Sequence, residues 1–328
     1  MKPSIVSTLL VVGFFASREE GQAAAYTFTT IGVPGSDYTE AFGINDVGDV
    51  VGLFYNHSLL PSELGFQYNS INGLFTTIDA PRNPNPPFPQ VFSEASGVNN
   101  LNQIVGLSDY RGFLYNDGVF TFINVPASIY TSPNGINNAG QIVGTYYISG
   151  IPGPTPITSG FLDSNGVLTP ISAPGSAATE VYGINDAGQI IGRFKSIDFR
   201  TAQSFIYKDG VFTTINVPGS SVVFVRGINN LGQIVGNFVD ASGFSHGFLD
   251  TNGIITDIDI PGAVDTQLYG INDEGEIVGS SGSSSFLATP NPLPEPGSLL
   301  LVSSAGIIIM IAKRLTTRFQ KPTKPLSF

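Results

Sequence analysis

The stretch Gly135-Ile136-Asn137-Asn138-Ala139-Gly140-Gln141-Ile142-Val143-Gly144 decides the fold, because the chain carries it six times. The triad Gly-Ile/Val-Asn recurs at Gly43-Ile44-Asn45, Gly97-Val98-Asn99, Gly135-Ile136-Asn137, Gly183-Ile184-Asn185, Gly227-Ile228-Asn229 and Gly270-Ile271-Asn272. Each triad is followed by a polar turn and an apolar run ending in glycine. The triad glycines are 54, 38, 48, 44 and 43 residues apart. Such a period marks a supersecondary unit that buries its apolar face only against its neighbours. We number these units repeats 1 to 6.

Working outward, every repeat contains two hairpin signals. The first is the triad, its turn and Gln-Ile-Val-Gly. The second is Phe-Leu-Tyr/Asp, a turn, and a strand such as Val211-Phe212-Thr213-Thr214-Ile215-Asn216-Val217-Pro218. Both turns put glycine last in a short polar group, as in Asn185-Asp186-Ala187-Gly188 and Lys208-Asp209-Gly210. Glycine takes positive φ there without steric cost. The flanking residues alternate with the strand period of two: Phe212, Thr214 and Asn216 face one way, Val211, Thr213 and Ile215 the other. Proline closes the last strand at Pro81, Pro126, Pro174, Pro218 and Pro261, where it removes no interior ladder bond.

Four strands in about 44 residues, repeated, predict an all-β fold built as a β-propeller. A β-solenoid is the alternative. The third strand occurs six times, at Phe66, Phe113, Phe161, Phe205, Phe248 and Phe286, but the chain reaches Pro290 without a sixth fourth strand. Phe28-Thr29-Thr30-Ile31-Gly32-Val33-Pro34-Gly35 matches Phe212–Gly219 closely and supplies it. The expectation is a six-bladed β-propeller over 26–290, closed by the N-terminal strand. A linear solenoid has no use for that offset and needs polar caps.

Composition narrows the function classes. The 328 residues include no cysteine, which excludes disulfides, thiolate metal sites and a cysteine nucleophile. Hydrophobic residues at 41% exclude a disordered chain. The repeat region holds 7 basic residues against 22 acidic ones. A body so acidic repels phosphate backbones, so no nucleic-acid partner is expected.

The two ends read as addresses. Residues 1–25 have the order of a secretory signal peptide: Lys2, an apolar run over Ile5–Ala16, and Ala23-Ala24-Ala25 before a cut at Tyr26. Ala23 and Ala25 are the cleavage-site residues. At the other end, Pro294-Glu295-Pro296 precedes the apolar run Leu299–Ala312 and the basic pair Lys313-Arg314. This order, within 291–328, resembles the PEP-CTERM sorting signal of Gram-negative bacteria. The resemblance implies that Pro294, Glu295 and Pro296 are processed by an exosortase-type protease. It also implies that the apolar run enters the inner membrane as a short helix and that the basic cluster stays cytoplasmic, in keeping with the positive-inside tendency. The repeats resemble the HAF-type extracellular repeats that accompany such signals. The name-giving His-Ala-Phe occurs here as His246-Gly247-Phe248. That resemblance implies an exported, propeller-like protein: anchored in the inner membrane before processing, then extracellular or at the cell surface. It implies no established activity.

Chemistry is sparse. The two histidines, His57 and His246, lie in different repeats and form no cluster, so no catalytic residue is assigned. Asp46, Asn100, Asn138, Asp186, Asn230 and Asp273 follow the triads. Carboxylates in half the copies suit turn formers better than calcium ligands, so no metal or cofactor is expected. These acids read as solvated turn residues.

Loop geometry carries the site hypothesis. The turns within hairpins are short and uniform. The connections at the opposite end vary: His57–Leu64, Arg82–Ser96 and Tyr147–Ser159. Varied loops on a regular scaffold concentrate ligand sites. Tyr110, Arg111, Arg193, Lys195, Arg200, Arg226 and His246 are the candidate binding residues, with tyrosines stacking and arginines pairing carboxylates of an exopolysaccharide. The reading is a non-catalytic binding or scaffold protein of the cell surface or biofilm matrix. A propeller glycoside hydrolase or lyase and a self-associating matrix subunit are the alternatives.

Overall fold

The computed structural model describes residues 17–19, 26–56, 60–84, 92–149 and 157–292. The signal-peptide cut at Ala23 and Ala25, His57, the Pro294-Glu295-Pro296 motif and the apolar run Leu299–Ala312 lie outside these residues. Among the described residues every regular element is a strand.

Each repeat folds as two antiparallel hairpins in series. In repeat 4 the strands are Ser176–Ile184, Ile190–Ser196, Ala202–Lys208 and Val211–Ile215, each paired with the next. In every repeat the first strand bulges just before its triad glycine, as between Val181 and Gly183. The turn that follows needs positive φ at its fourth residue. Glycine supplies it at Gly188 (φ 72°), while repeat 2 uses Asn102 (φ 61°), the residue that tolerates this region best after glycine.

The Gly at the end of each Ile-Val-Gly run has a packing cause. Gly192 sits directly opposite Phe205 in the sheet. A Cβ on Gly192 would lie 2.2 Å from the Glu180 carbonyl oxygen and 2.7 Å from the Phe205 ring. The same Gly–Phe pairing holds at Gly52–Phe66, Gly106–Phe113, Gly144–Phe161, Gly236–Phe248 and Gly279–Phe286. The ring occupies the space that the missing side chain leaves. Phe205 is fully buried, and burial of such a side chain contributes about 2 kcal/mol.

The core is divided among the joints between repeats. One apolar cluster joins Val51 and Ile78 of repeat 1 to Ala95, Ile104 and Phe113 of repeat 2. Another joins Val278 and Leu287 of repeat 6 to Ala41, Val50 and Phe66 of repeat 1. The last repeat therefore packs on the first. The N-terminal strand Tyr26–Ile31 pairs antiparallel with Ser284–Pro290, completing the sheet of repeat 6. The sequence match of Phe28–Gly35 to Phe212–Gly219 anticipated this partner. The fold is an all-β propeller.

The strands fall into five hydrogen-bonded sheets, not six separate ones. The strands of repeats 3 and 4 form one eight-stranded sheet, because a single parallel bridge, Thr158 to Ala178, links them. A further difference lies at the N-terminus. The backbone of Ser17–Glu19, placed by sequence within the removable leader, pairs parallel with Ile254–Thr256 and makes that sheet five-stranded. The outer strand of a sheet offers free backbone groups to any extended segment.

Candidate functional site: the central cavity

The first strands surround a central axis, and their triad asparagines tie one end of it. Asn45 Nδ2 donates to the carbonyl of Asn99, Asn99 to Asn137, Asn137 to Asn185, Asn185 to Asn229, Asn229 to Asn272, and Asn272 back to Asn45, at 2.9–3.2 Å. Each of these asparagines also accepts, at Oδ1, the backbone N–H four residues on, at 2.8–2.9 Å. In repeats 2 to 5 the second amide proton goes to the glutamine of Gln-Ile-Val/Ile-Gly, as from Asn185 to Gln189 Oε1 at 2.8 Å. All the polar atoms of a buried asparagine side chain are thereby paired.

The next residue in each repeat closes a second ring. The backbone N–H groups of Asp46, Asn100, Asn138, Asp186, Asn230 and Asp273 each donate to the Oδ1 of the next member at 2.7–2.9 Å, and Asp273 donates to Asp46. This corrects the expectation that these acids are merely solvated. They act as acceptors between repeats, a task that Asp and Asn perform equally. That equivalence explains the even mixture of the two. Among the described residues no group of three His, Asp or Glu is placed to hold a metal ion.

Above the asparagines, Ile44, Val98, Ile136, Ile184, Ile228 and Ile271 border both the small space at the ring and a cavity of about 430 Å³. The cavity extends from this apolar floor toward the end that carries the varied loops. The residue just before each triad glycine lines it in every repeat: Phe42, Ser96, Asn134, Tyr182, Arg226 and Tyr269. Glu94, Tyr130, Tyr147 and Glu180 complete its polar and aromatic wall.

Three carboxylates stand at or beside this wall, each with different company. Glu40 accepts hydroxyls from Tyr38 and Tyr269, both at 2.7 Å. Glu180 accepts the Tyr182 hydroxyl at 2.7 Å and pairs with Lys195 Nζ at 3.1 Å. Glu94 has only a long hydrogen bond from Ser96 Oγ, 3.3 Å, among the described residues. Burial, reinforced by Glu63 and Glu40 and opposed by Ser96, pushes its pKa up to about 7. Burial also raises the Tyr182 and Tyr269 hydroxyls, assisted by the carboxylates beside them.

Arg226 faces the same space. Its guanidinium lies over the rings of Tyr182, Phe224 and Tyr269 at 5.3–5.9 Å, and its buried Nε has no hydrogen-bond partner among the described residues. Tyr130 stacks on Tyr147 at 4.7 Å and meets Tyr110 edge-on at 6.2 Å, so an aromatic band borders the wall.

The sequence-predicted site residues are thus not one surface. Arg226 lines the central cavity. Arg193, Lys195 and Arg200 line a separate groove of about 440 Å³. Arg193 stacks on Phe224 at 4.4 Å, Lys195 is engaged by Glu180, and Arg200 projects beside Asp198. Tyr110 and Arg111 border a third hollow. Tyr110 occupies a tight turn with φ 70°, and Arg111 covers Phe122 at 3.9 Å while donating to the Pro81 carbonyl. His246 stands apart, with Nδ1 at 2.8 Å from Asp259, Nε2 at 3.6 Å from Asp240, and its ring stacked on Phe238. These cations are dispersed because most find a ring or carboxylate within their own or the next repeat. Sequence reasoning placed Tyr147 at the varied-loop end, where it lines this cavity, and missed Glu94, Tyr130, Glu180, Tyr182 and Tyr269. For Glu94, Glu180, Tyr182 and Tyr269 the available signal was positional, since residues one and three before each triad glycine recur on the innermost strand.

No family model matches the chain, and no curated protein is similar to it. Solved structures share its fold. TolB from Acinetobacter baumannii aligns over 74% of this chain and 64% of that chain, at 14% identity and a TM-score of 0.50. Virginiamycin B lyase from Staphylococcus aureus aligns over 80% of this chain and 99% of that chain, at 13% identity and a TM-score of 0.47. The lectin of Aleuria aurantia, seen with a fucosylated sugar, aligns over 80% and 99%, at 10% identity and 0.46. Likeness at this identity concerns the fold alone.

Proposed function

We propose that this chain is an exported, non-catalytic glycan-binding propeller of the cell surface or biofilm matrix. The observation that carries the reading is the central cavity. Its volume lies in the range of about 300–1,000 Å³ usual for ligand sites, and its wall combines tyrosine rings with carboxylates, hydroxyls and the Asn134 amide. Rings stack on the apolar faces of sugars, while carboxylates and amides accept and donate to hydroxyls. Six blades are the count we adopt, supported by the two six-membered hydrogen-bonded rings. The single Thr158–Ala178 bridge is too slight a link to make repeats 3 and 4 one blade.

Export rests on the sequence order at residues 1–25 and on the resemblance of 291–328 to a PEP-CTERM signal. An exosortase-type protease acting at Pro294-Glu295-Pro296 is the partner this implies. The short C-terminal apolar helix would hold the chain in the inner membrane until that cut. Retention of the full chain on immobilised neutral and acidic exopolysaccharides tests the binding, with polymer length followed in parallel. Retention without shortening is expected, and Tyr130→Ala together with Tyr182→Ala should abolish it. Absence of retention on every polymer would overturn the reading and favour a self-associating matrix subunit.

One observation favours glycan cleavage as a second reading. A carboxyl raised to about 7, as in Glu94, is suited to general-acid work, and Glu180 is a second carboxyl lining the same cavity. Shortening of the polymer that Glu94→Gln abolishes would decide for it.

A further inference from the structure

The cavity has a polarity that the glycan-binding reading alone does not use. The asparagine ring fixes the order of repeats around the axis, and repeats 2 and 5 are three steps apart in that ring of six. Glu94 of repeat 2 and Arg226 of repeat 5 therefore occupy opposite walls. Both line the cavity, and among the described residues neither has an oppositely charged partner. The other acids near the wall are satisfied: Glu40 by two tyrosines and Glu180 by Tyr182 and Lys195. Desolvated charges without partners are costly, and a ligand that supplies the missing partners recovers that cost on binding.

Building on the glycan-binding reading, we infer that the cavity takes a zwitterionic saccharide, its ammonium group against Glu94 and its carboxylate against Arg226. Arg226 suits the anionic end, because guanidinium hydrogens form a planar fork that matches a carboxylate. Its stacking on Tyr182, Phe224 and Tyr269 holds that fork in place without consuming an anion. Glu94 suits the cationic end, because a carboxyl with one weak hydrogen bond has free acceptor sites. Tyr130, Tyr147 and Tyr182 lie on the wall from repeat 3 to repeat 4, where the sugar ring spanning the two charges would rest. The apolar floor of Ile44, Val98, Ile136, Ile184, Ile228 and Ile271 favours a ligand entering from the loop end.

Calorimetric titration of the full chain with four oligosaccharides of one backbone tests this at neutral pH. The first alternates uronic acid with an amino sugar bearing free amines. The second is its N-acetylated form, the third its carboxyl-reduced form, and the fourth lacks both charges. The zwitterion is expected to bind about tenfold tighter than either singly charged form, the scale of one charge-assisted hydrogen bond. Glu94→Gln should erase the preference for the free amine and leave that for the carboxylate; Arg226→Gln should do the reverse. Equal affinity for all four would overturn the inference and leave the glycan-binding reading standing. Binding of none would overturn that reading itself. A Lys-Glu dipeptide that binds tighter than every saccharide would overturn the saccharide class. The comparison between ligands needs no variant to fold.

Discussion

At the turn end of the axis every repeat places the same residue, asparagine, and every one makes the same bond to the next repeat and the same bond to its own turn. At the loop end the equivalent wall positions hold Phe42, Ser96, Asn134, Tyr182, Arg226 and Tyr269, six residues of five kinds. The first end joins identical units and its chemistry must repeat, since each asparagine donates from its side chain to one neighbour and accepts at its backbone carbonyl from the other. The second end has no such duty. Its backbone is already fixed by the sheet, so its side chains are free to differ, and they build a polarised cavity. Uniformity marks where the propeller is held together, and variety marks where it meets something else.

The largest effect expected from breaking this contrast is at the uniform end. Asn185→Ala removes bonds to Asn229, Gln189 and the turn, and leaves buried partners unsatisfied. Thermal or urea unfolding should show a loss of about 3 kcal/mol. Gly192→Ala comes next, since its Cβ would overlap the Glu180 carbonyl and the Phe205 ring; a loss of about 2–3 kcal/mol is expected by the same measurement.

At the varied end the sign reverses. Glu94 is protonated in the fold up to about 7 and in the unfolded chain only to about 4.5. A raised carboxyl pKa penalises the folded state once pH exceeds the unfolded value, and the penalty is complete above the folded one. Stability should therefore rise as pH falls from about 7 to about 4.5. Glu94→Gln should stabilise the chain by about 1–2 kcal/mol above that window and change nothing below it, as read by urea unfolding at several pH values. Destabilisation by this variant at alkaline pH would mean that the carboxylate is not left unpaired.

The smallest effect concerns His246, away from the axis. Its carboxylate neighbours Asp259 and Asp240 outweigh the opposing desolvation and raise its pKa above the ordinary value. Its contribution to stability is present below the unfolded pKa and is lost as pH rises through the folded one. An NMR titration should find the raised value, and Asp259→Asn should lower it.

Much of the strand order was legible because hairpin signals are local. Turn glycines, the period of two and the terminal prolines act within a few residues. The partner of the last sheet was legible too, because Phe28–Gly35 repeats the pattern of a missing strand. The glycine facing each phenylalanine could be counted but not explained before the register placed Gly192 against Phe205. The link between repeats 3 and 4 was invisible, since it depends on a single bridge between residues twenty apart. The site was legible only as an end of the molecule. Tyr110, Arg111, Arg193, Lys195 and Arg200 lie near that end but in separate hollows, whereas Glu94 and Tyr182 look like ordinary strand residues in the linear chain.

The sequence by itself determined the repeat, its hairpins, its triad of glycine, β-branched residue and asparagine, and the strand that completes the last sheet. These follow from backbone conformations and short-range periodicity, which a single repeat already contains. Only the tertiary structure decided that asparagines separated by 38 to 54 residues bond in a closed ring. It alone brought Glu94 and Arg226 to opposite walls of one cavity. Both facts depend on how many units meet around an axis, and that is a property of the packed ring and of no single unit.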